Sequence, residues 1–128
     1  MKTLRKKSKR KTCKREADRL WSLIIRRKNN SCCEICGRPN ANNPHHVIGR
    51  VNYILRWDIR NGCLLCQGCH ILNSKSAHQD PIFFIDWFKK HRLDDYKYLL
   101  KKKNKIWDKD YDKVLEYLIR INKDRQEY

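Results

Sequence analysis

The chain has 128 residues, 31 of them Lys or Arg and 14 Asp or Glu, for a net charge of +17. No apolar run nears the roughly 20 residues of a membrane span, and no apolar segment follows the positive N-terminus as in a signal peptide, so no membrane partner and a reducing cytoplasm are expected. A charge this large calls for a polyanion, with nucleic acid first, and a core this thin gains from a metal staple.

Residues 2–15 hold nine basic residues and no acid, and read as a solvated, disordered arm (1–15) able to touch phosphates. Residues 16–31 follow as an N-terminal helix. Ala17, Leu20, Trp21 and Ile24 recur at helical spacing, and Asn29, Asn30 and Ser31 break the pattern. The central stretch, 32–81, is rich in Cys and His. Turn signals separate short apolar runs near Val47 and Leu64, which suit two antiparallel strands, and a helix is expected to open between Cys66 and about Ser76. Residues 82–128 read as a helical C-terminal extension: Asp80 is a candidate N-cap, Pro81 suits the first helical position, and Phe83, Phe84, Trp87 and Phe88 form one apolar face. Two further helices follow around Leu99 and Leu115. The predicted class is α+β.

Cys33-x2-Cys36 and Cys66-x2-Cys69 are matched pairs with 29 residues between them. Two residues between cysteines let both sulfurs of a tight turn reach one ion, and two such turns complete a tetrahedral four-thiolate shell for Zn2+. A four-cysteine shell has no open position, so this zinc is expected to be structural. Cys32 is one residue too far from Cys36 for that turn, and Cys13 and Cys63 are left over as free thiols.

Four of the five histidines lie near this scaffold. His45 and His46 are neighbours, and on a strand their side chains leave opposite faces. His70 directly follows Cys69, so fixing the cysteine fixes the histidine. The run His45-His46-Val47-Ile48, then Asn61, then Leu65-Cys66-x2-Cys69-His70 resembles the HNH, or ββα-metal, endonucleases over about residues 33–81. The stretch 55–61 and the helical tail also resemble the phage recombination endonucleases of the NinG/Rap kind. Those resemblances imply a ββα-metal core and a DNA endonuclease acting in the cytoplasm, that of the host if phage-encoded.

The family likeness also implies roles. His46 looks like the general base, its second ring nitrogen donating to a backbone carbonyl, and Asn61 looks like the residue that holds the inter-strand loop. His45 and His70 look like ligands of one catalytic divalent metal, Mg2+, Mn2+, Ni2+ or Zn2+. Many family members carry a histidine four residues after the equivalent of His70. Here Ser74 stands there, and His78 comes eight residues after His70. His78 is taken as the third ligand, with Asn73 and Ser74 as alternatives. Arg50, Arg56, Arg60 and Lys75 are the expected DNA contacts, together with the lysine run at 101–103. A homodimer would permit paired cuts, and branched or recombination-intermediate DNA is the substrate the narrower likeness suggests. The competing readings are a non-catalytic zinc-dependent DNA-binding module and an HNH accessory subunit of phage DNA packaging or restriction.

Overall fold

Residues 2–26 contain neither Gly nor Pro, and Lys, Arg and Leu favour helix. In a computed structural model of the chain, which describes residues 2–126 and the side chains of 9–124, they form one unbroken helix, α1 (Lys2–Arg26). This corrects the expected division into a disordered arm at 1–15 and a helix at 16–31. Nothing in the sequence breaks the turns between the basic stretch and the apolar one, so the helix continues through both. The side chains of residues 1–8, and with them part of the expected phosphate contacts, lie outside the described residues. The helix stops at Arg26, before Asn29, Asn30 and Ser31 adopt φ of 51°, 54° and 60°.

The apolar face of α1 is the backbone of the core. Ala17, Leu20, Trp21, Ile24 and Ile25 are all buried. Burying a side chain of the size of Leu or Ile contributes roughly 1.5–3 kcal/mol, so this face anchors the fold. The last helix, α4 (Tyr111–Gln126), packs along α1 and buries Leu118.

Two short strands, β1 (Asn43–His46) and β2 (Gly62–Leu65), pair antiparallel, with His45 opposite Cys63 and His46 opposite Gly62. The first strand thus lies just before Val47 rather than around it. All four residues of β2 are buried, which explains its unbroken apolar character. Gly62 is required by packing, because a Cβ there would collide with the Ile25 side chain.

The expected helix after β2 is reduced to one wide turn, Gly68–Leu72. The chain then doubles back. The Ala77 N–H donates to the Cys69 carbonyl (2.8 Å) and the His78 N–H to the His70 carbonyl (3.1 Å). Ser76, fully buried, donates its hydroxyl to the Ile71 carbonyl (3.0 Å) and fixes the return. Helix α2 (Pro81–His91) follows, with the Asp80 carboxylate accepting from the Phe83 N–H at 3.0 Å and Pro81 in its first turn. Helix α3 (Leu93–Lys102) completes a second small core of Leu55, Phe88 and Leu99. The molecule is a mixed α+β fold with a two-stranded sheet, and no helix among the described residues is long and apolar enough to cross a membrane.

Candidate metal centres and the histidine face

The two cysteine turns meet. Cys33, Cys36, Cys66 and Cys69 bring their sulfurs within 4.8 Å of one another, and Cys36 Sγ lies 3.6 Å from Cys66 Sγ. The first turn is closed by the Gly37 N–H donating to the Cys33 carbonyl (2.9 Å), with Gly37 at φ 77°, a conformation open to glycine without strain. In the second, the Cys69 N–H donates to Cys66 Sγ at 3.4 Å. Burial alone would push the Cys66 thiol up, but that N–H and the neighbouring thiols bring it down to about 7. Burial and its sulfur neighbours push Cys69 up instead. The Cys66 thiolate therefore forms readily while Cys36 and Cys69 resist, and a divalent cation removes that resistance. The cluster can hold a metal such as zinc.

Cys32 and Cys63 stand apart from this set: Cys32 Sγ turns to the Asn30 carbonyl, and Cys63 is buried in β2. Glu34, which the sequence did not single out, ties the first turn to the sheet. Its carboxylate accepts from the Leu64 N–H and from Arg92 (3.3 Å), and Arg92 also donates to the Gly62 carbonyl (2.7 Å).

On one face of β1, His45, His70 and His78 form a second group whose ring nitrogens lie within 4.8 Å. His45 reaches it from the strand, His70 from the turn after Cys69, and His78 from the returning chain. The His45 ring stands edge-on to Phe84 (4.8 Å, 82°), His78 (5.0 Å) and His70 (5.3 Å). Phe84 thus floors the cluster. Nε2 of His70 faces Nε2 of His78 at 2.9 Å. Two such nitrogens cannot both carry protons at that distance, so at least one presents a lone pair to the space between them. Burial, then the proximity of the other imidazoles, lowers the pKa of His45 to about 3, and burial also lowers that of His70. Nδ1 of His70 is buried without a hydrogen-bond partner. Three imidazoles with ring nitrogens this close fit a divalent ion, and three such ligands leave positions open.

His46 leaves the opposite face of β1 and is not part of the cluster. Its ring stacks on Trp21 of α1, with centroids 3.9 Å apart and planes within 9°. Its Nε2 lies 2.9 Å from the Arg56 carbonyl oxygen. A carbonyl only accepts, so Nε2 carries the proton, and in the neutral ring Nδ1 holds the lone pair. Burial lowers the pKa of His46, which keeps the ring neutral.

The loop that carries the Arg56 carbonyl is braced by Asn61 at the preceding residue, Leu55. The fully buried Asn61 side chain accepts from the Ile48 N–H (2.8 Å) and donates to the carbonyls of Ile48 (2.9 Å) and Leu55 (3.1 Å). It thereby cross-braces both ends of the long inter-strand loop. Trp21 and Phe84, the walls behind His46 and His45, read in the sequence only as core positions.

The predicted DNA contacts divide. Arg50 and Lys75 are exposed. Arg56 is not available: it is buried in a two-pronged pair with Asp18 (2.8 and 2.9 Å), and Trp57 donates to the same carboxylate at 2.8 Å. Its position between the aromatic rings of Tyr53 and Trp57 turned a cation in a loop into a structural one. Arg60 is engaged by Asp95 (2.7 Å) and lies over the Tyr98 ring (3.9 Å). Of the lysine run, Lys102 turns inward to Asp58 (2.9 Å), while Lys101 and Lys103 remain exposed.

Comparisons with protein-family models, with curated proteins and with solved structures find no match to this chain.

Proposed function

We propose that the protein is a metal-dependent endonuclease of the HNH kind, hydrolysing DNA phosphodiester bonds. The observation that carries this reading is the pairing of the His45, His70 and His78 cluster with His46 on the other face of the same short strand. The cysteine cluster supports it by holding the His70 turn against the hairpin, in the manner of a ββα-metal core. Among the described residues β1 pairs with β2 alone, and in this reading a phosphate would approach the strand between its two faces.

In this reading His45, His70 and His78 hold one divalent ion, whose contribution is Lewis acidity toward a phosphate oxygen. An all-imidazole donor set suits Ni2+ or Zn2+ better than Mg2+, which prefers oxygen ligands. His46 acts at Nδ1, taking a proton from the attacking water while Nε2 stays bonded to the Arg56 carbonyl. Trp21 keeps the ring plane fixed during that transfer. Asn61 acts through the loop and is a positioning residue. The net charge of +17, with exposed cations on α1 and at Arg50 and Lys75, supplies the affinity for the backbone.

The test is plasmid cleavage with Ni2+, Mn2+, Mg2+ or added Zn2+, comparing wild type with His46→Ala and His78→Ala. The expected result is cleavage by wild type, a loss of at least about a hundredfold in His46→Ala, and weakened response to metal in His78→Ala. Equal cutting by wild type and His46→Ala would overturn the assigned base. No cleavage under any metal, with a single tight zinc per chain, would make the protein a zinc-dependent DNA-binding module.

A further inference from the structure

Between the inter-strand loop, α3 and α4 lies a cleft of about 320 Å³, and none of its lining residues belongs to either metal cluster. Tyr53, Trp57 and Trp107 line it and hold one another in place. Tyr53 stacks on Trp107 (5.3 Å, 10°), and Trp57 meets the same indole at 5.6 Å. Tyr98 and Tyr117 join them from α3 and α4. Ile106 also lines the cleft and is 95% exposed, more than any other large apolar side chain described. Close-packed interiors leave few voids larger than a water molecule, so aromatic groups gathered only to fill a core would have closed this space. Its size and aromatic walls are those of a small-molecule site.

The polar groups narrow the choice of occupant. The Asp58 carboxylate accepts from the Tyr98 hydroxyl and from Lys102 (2.9 Å), and Lys102 also donates to the Tyr98 oxygen (2.8 Å). Asp108 is paired with Lys113 (3.2 Å), and the Asp110 carboxylate accepts from the Lys113 N–H (3.1 Å). Both lysines of the lining are thus engaged, and an anion would have to displace an aspartate to reach either one. A cation would enter against the net charge of +17. An uncharged ligand avoids both costs. Tyr117 adds a specific demand. Its hydroxyl accepts from the Ile59 N–H (3.4 Å), while its own hydrogen has no acceptor among the described residues. Burial pushes the Tyr117 pKa up, so that hydrogen stays in place. An acceptor oxygen on the ligand would satisfy it.

We infer that this cleft binds a small, flat, uncharged ring compound bearing a carbonyl oxygen, with the ring against Tyr53, Trp57 and Trp107 and the oxygen at the Tyr117 hydroxyl. The inference is independent of the nuclease reading, because it uses no residue of the histidine face.

The test is a titration of the full chain, with zinc added, followed by the indole N–H signals of Trp57 and Trp107 in two-dimensional NMR. The probes are coumarin, its saturated analogue octahydrocoumarin, a coumarin carboxylate, and indole, which is flat but has no carbonyl. Coumarin is expected to shift both signals and to bind at least about tenfold more tightly than the saturated lactone or the carboxylate. Tyr117→Phe keeps the ring and should weaken coumarin about fivefold while leaving indole within about twofold. Val114→Phe places a larger side chain in the lining and should remove the response to coumarin. Folding of each variant is checked on the Trp21 indole N–H, which bonds the Asp58 carbonyl in the core (3.0 Å). The inference is overturned by an absence of shifts with coumarin up to about 10 mM. It is equally overturned if the saturated lactone or the carboxylate binds as tightly as coumarin, or if a folded Tyr117→Phe or Val114→Phe variant binds coumarin as wild type does.

Discussion

Replacing Asn61 by alanine removes three hydrogen bonds from a side chain with no solvent exposure. The Ile48 N–H and carbonyl lose this partner together, while the Leu55 carbonyl keeps only the Asp58 N–H (3.1 Å). Each such bond is worth roughly 1 kcal/mol net, and each partner left unsatisfied in the interior adds a penalty of about 1–3 kcal/mol where water cannot replace it. Ile48 is only half-buried, so water recovers part of the loss, and the expected destabilisation is about 3–5 kcal/mol. For a chain of this size that lowers Tm by roughly 10–20 °C. Asn61→Asp is the sharper test. It keeps the volume and the acceptor for the Ile48 N–H, but sets a carboxylate oxygen against two carbonyls. If hydrogen bonding rather than shape holds the loop, Asp destabilises at least as much as Ala. Urea unfolding followed by tryptophan fluorescence reads this directly, since Trp21 and Trp57 are buried in the core. An aspartate variant within about 1 kcal/mol of wild type would refute the bracing role.

Three further outcomes follow from the geometry. Cys66→Ser should abolish the tight equivalent of zinc and unfold the region from Cys33 to Cys69, checked by elemental analysis and circular dichroism, because binding at such a site supplies roughly 10–16 kcal/mol toward folding. Arg56→Ala should cost about 2 kcal/mol of stability, the pair being discounted because the Asp18 side chain is 40% exposed, and leave the salt dependence of DNA binding unchanged, whereas Arg50→Ala should reduce that slope by about one without altering Tm. Burial pulls the Asp18 carboxyl upward, but the hydrogen bonds from Arg56 and Trp57 outweigh it and hold its pKa below the ordinary value. A depressed folded-state pKa gives stability that is present above the unfolded value of about 4 and lost as pH falls through the folded one. The stability gap between wild type and Asp18→Asn should therefore be full at pH 6 and shrink below pH about 4, with chemical denaturation at each pH as the readout.

The fold class and the metal-binding capacity of the cysteines were legible because both rest on local pattern. Ala17, Leu20, Trp21 and Ile24 spell one helical face, and two Cys-x2-Cys turns demand a common centre. What escaped reading was decided by distant partners. Arg56 reads as a free loop cation until Asp18, 38 residues earlier, closes on it. Lys102 belongs to a run of three surface lysines until Asp58 turns it inward. The basic stretch at 2–15 looks disordered by charge, yet helix propagates through it from the packed half of α1. Trp21 is indistinguishable from any core aromatic in the sequence, and only the fold reveals an imidazole lying flat upon it.

The doubling-back of the chain after β2 carries a lesson about distance along a polypeptide. His78 does not reach His70 by an extra helical turn. It arrives because two backbone rungs, Ala77 to Cys69 and His78 to His70, zip the returning segment against the outgoing one. The partner of a residue is then chosen by ladder position, so the number of residues in between ceases to be diagnostic. Chains with quite different histidine intervals can converge on the same trio, and a search keyed to fixed intervals will pass them by.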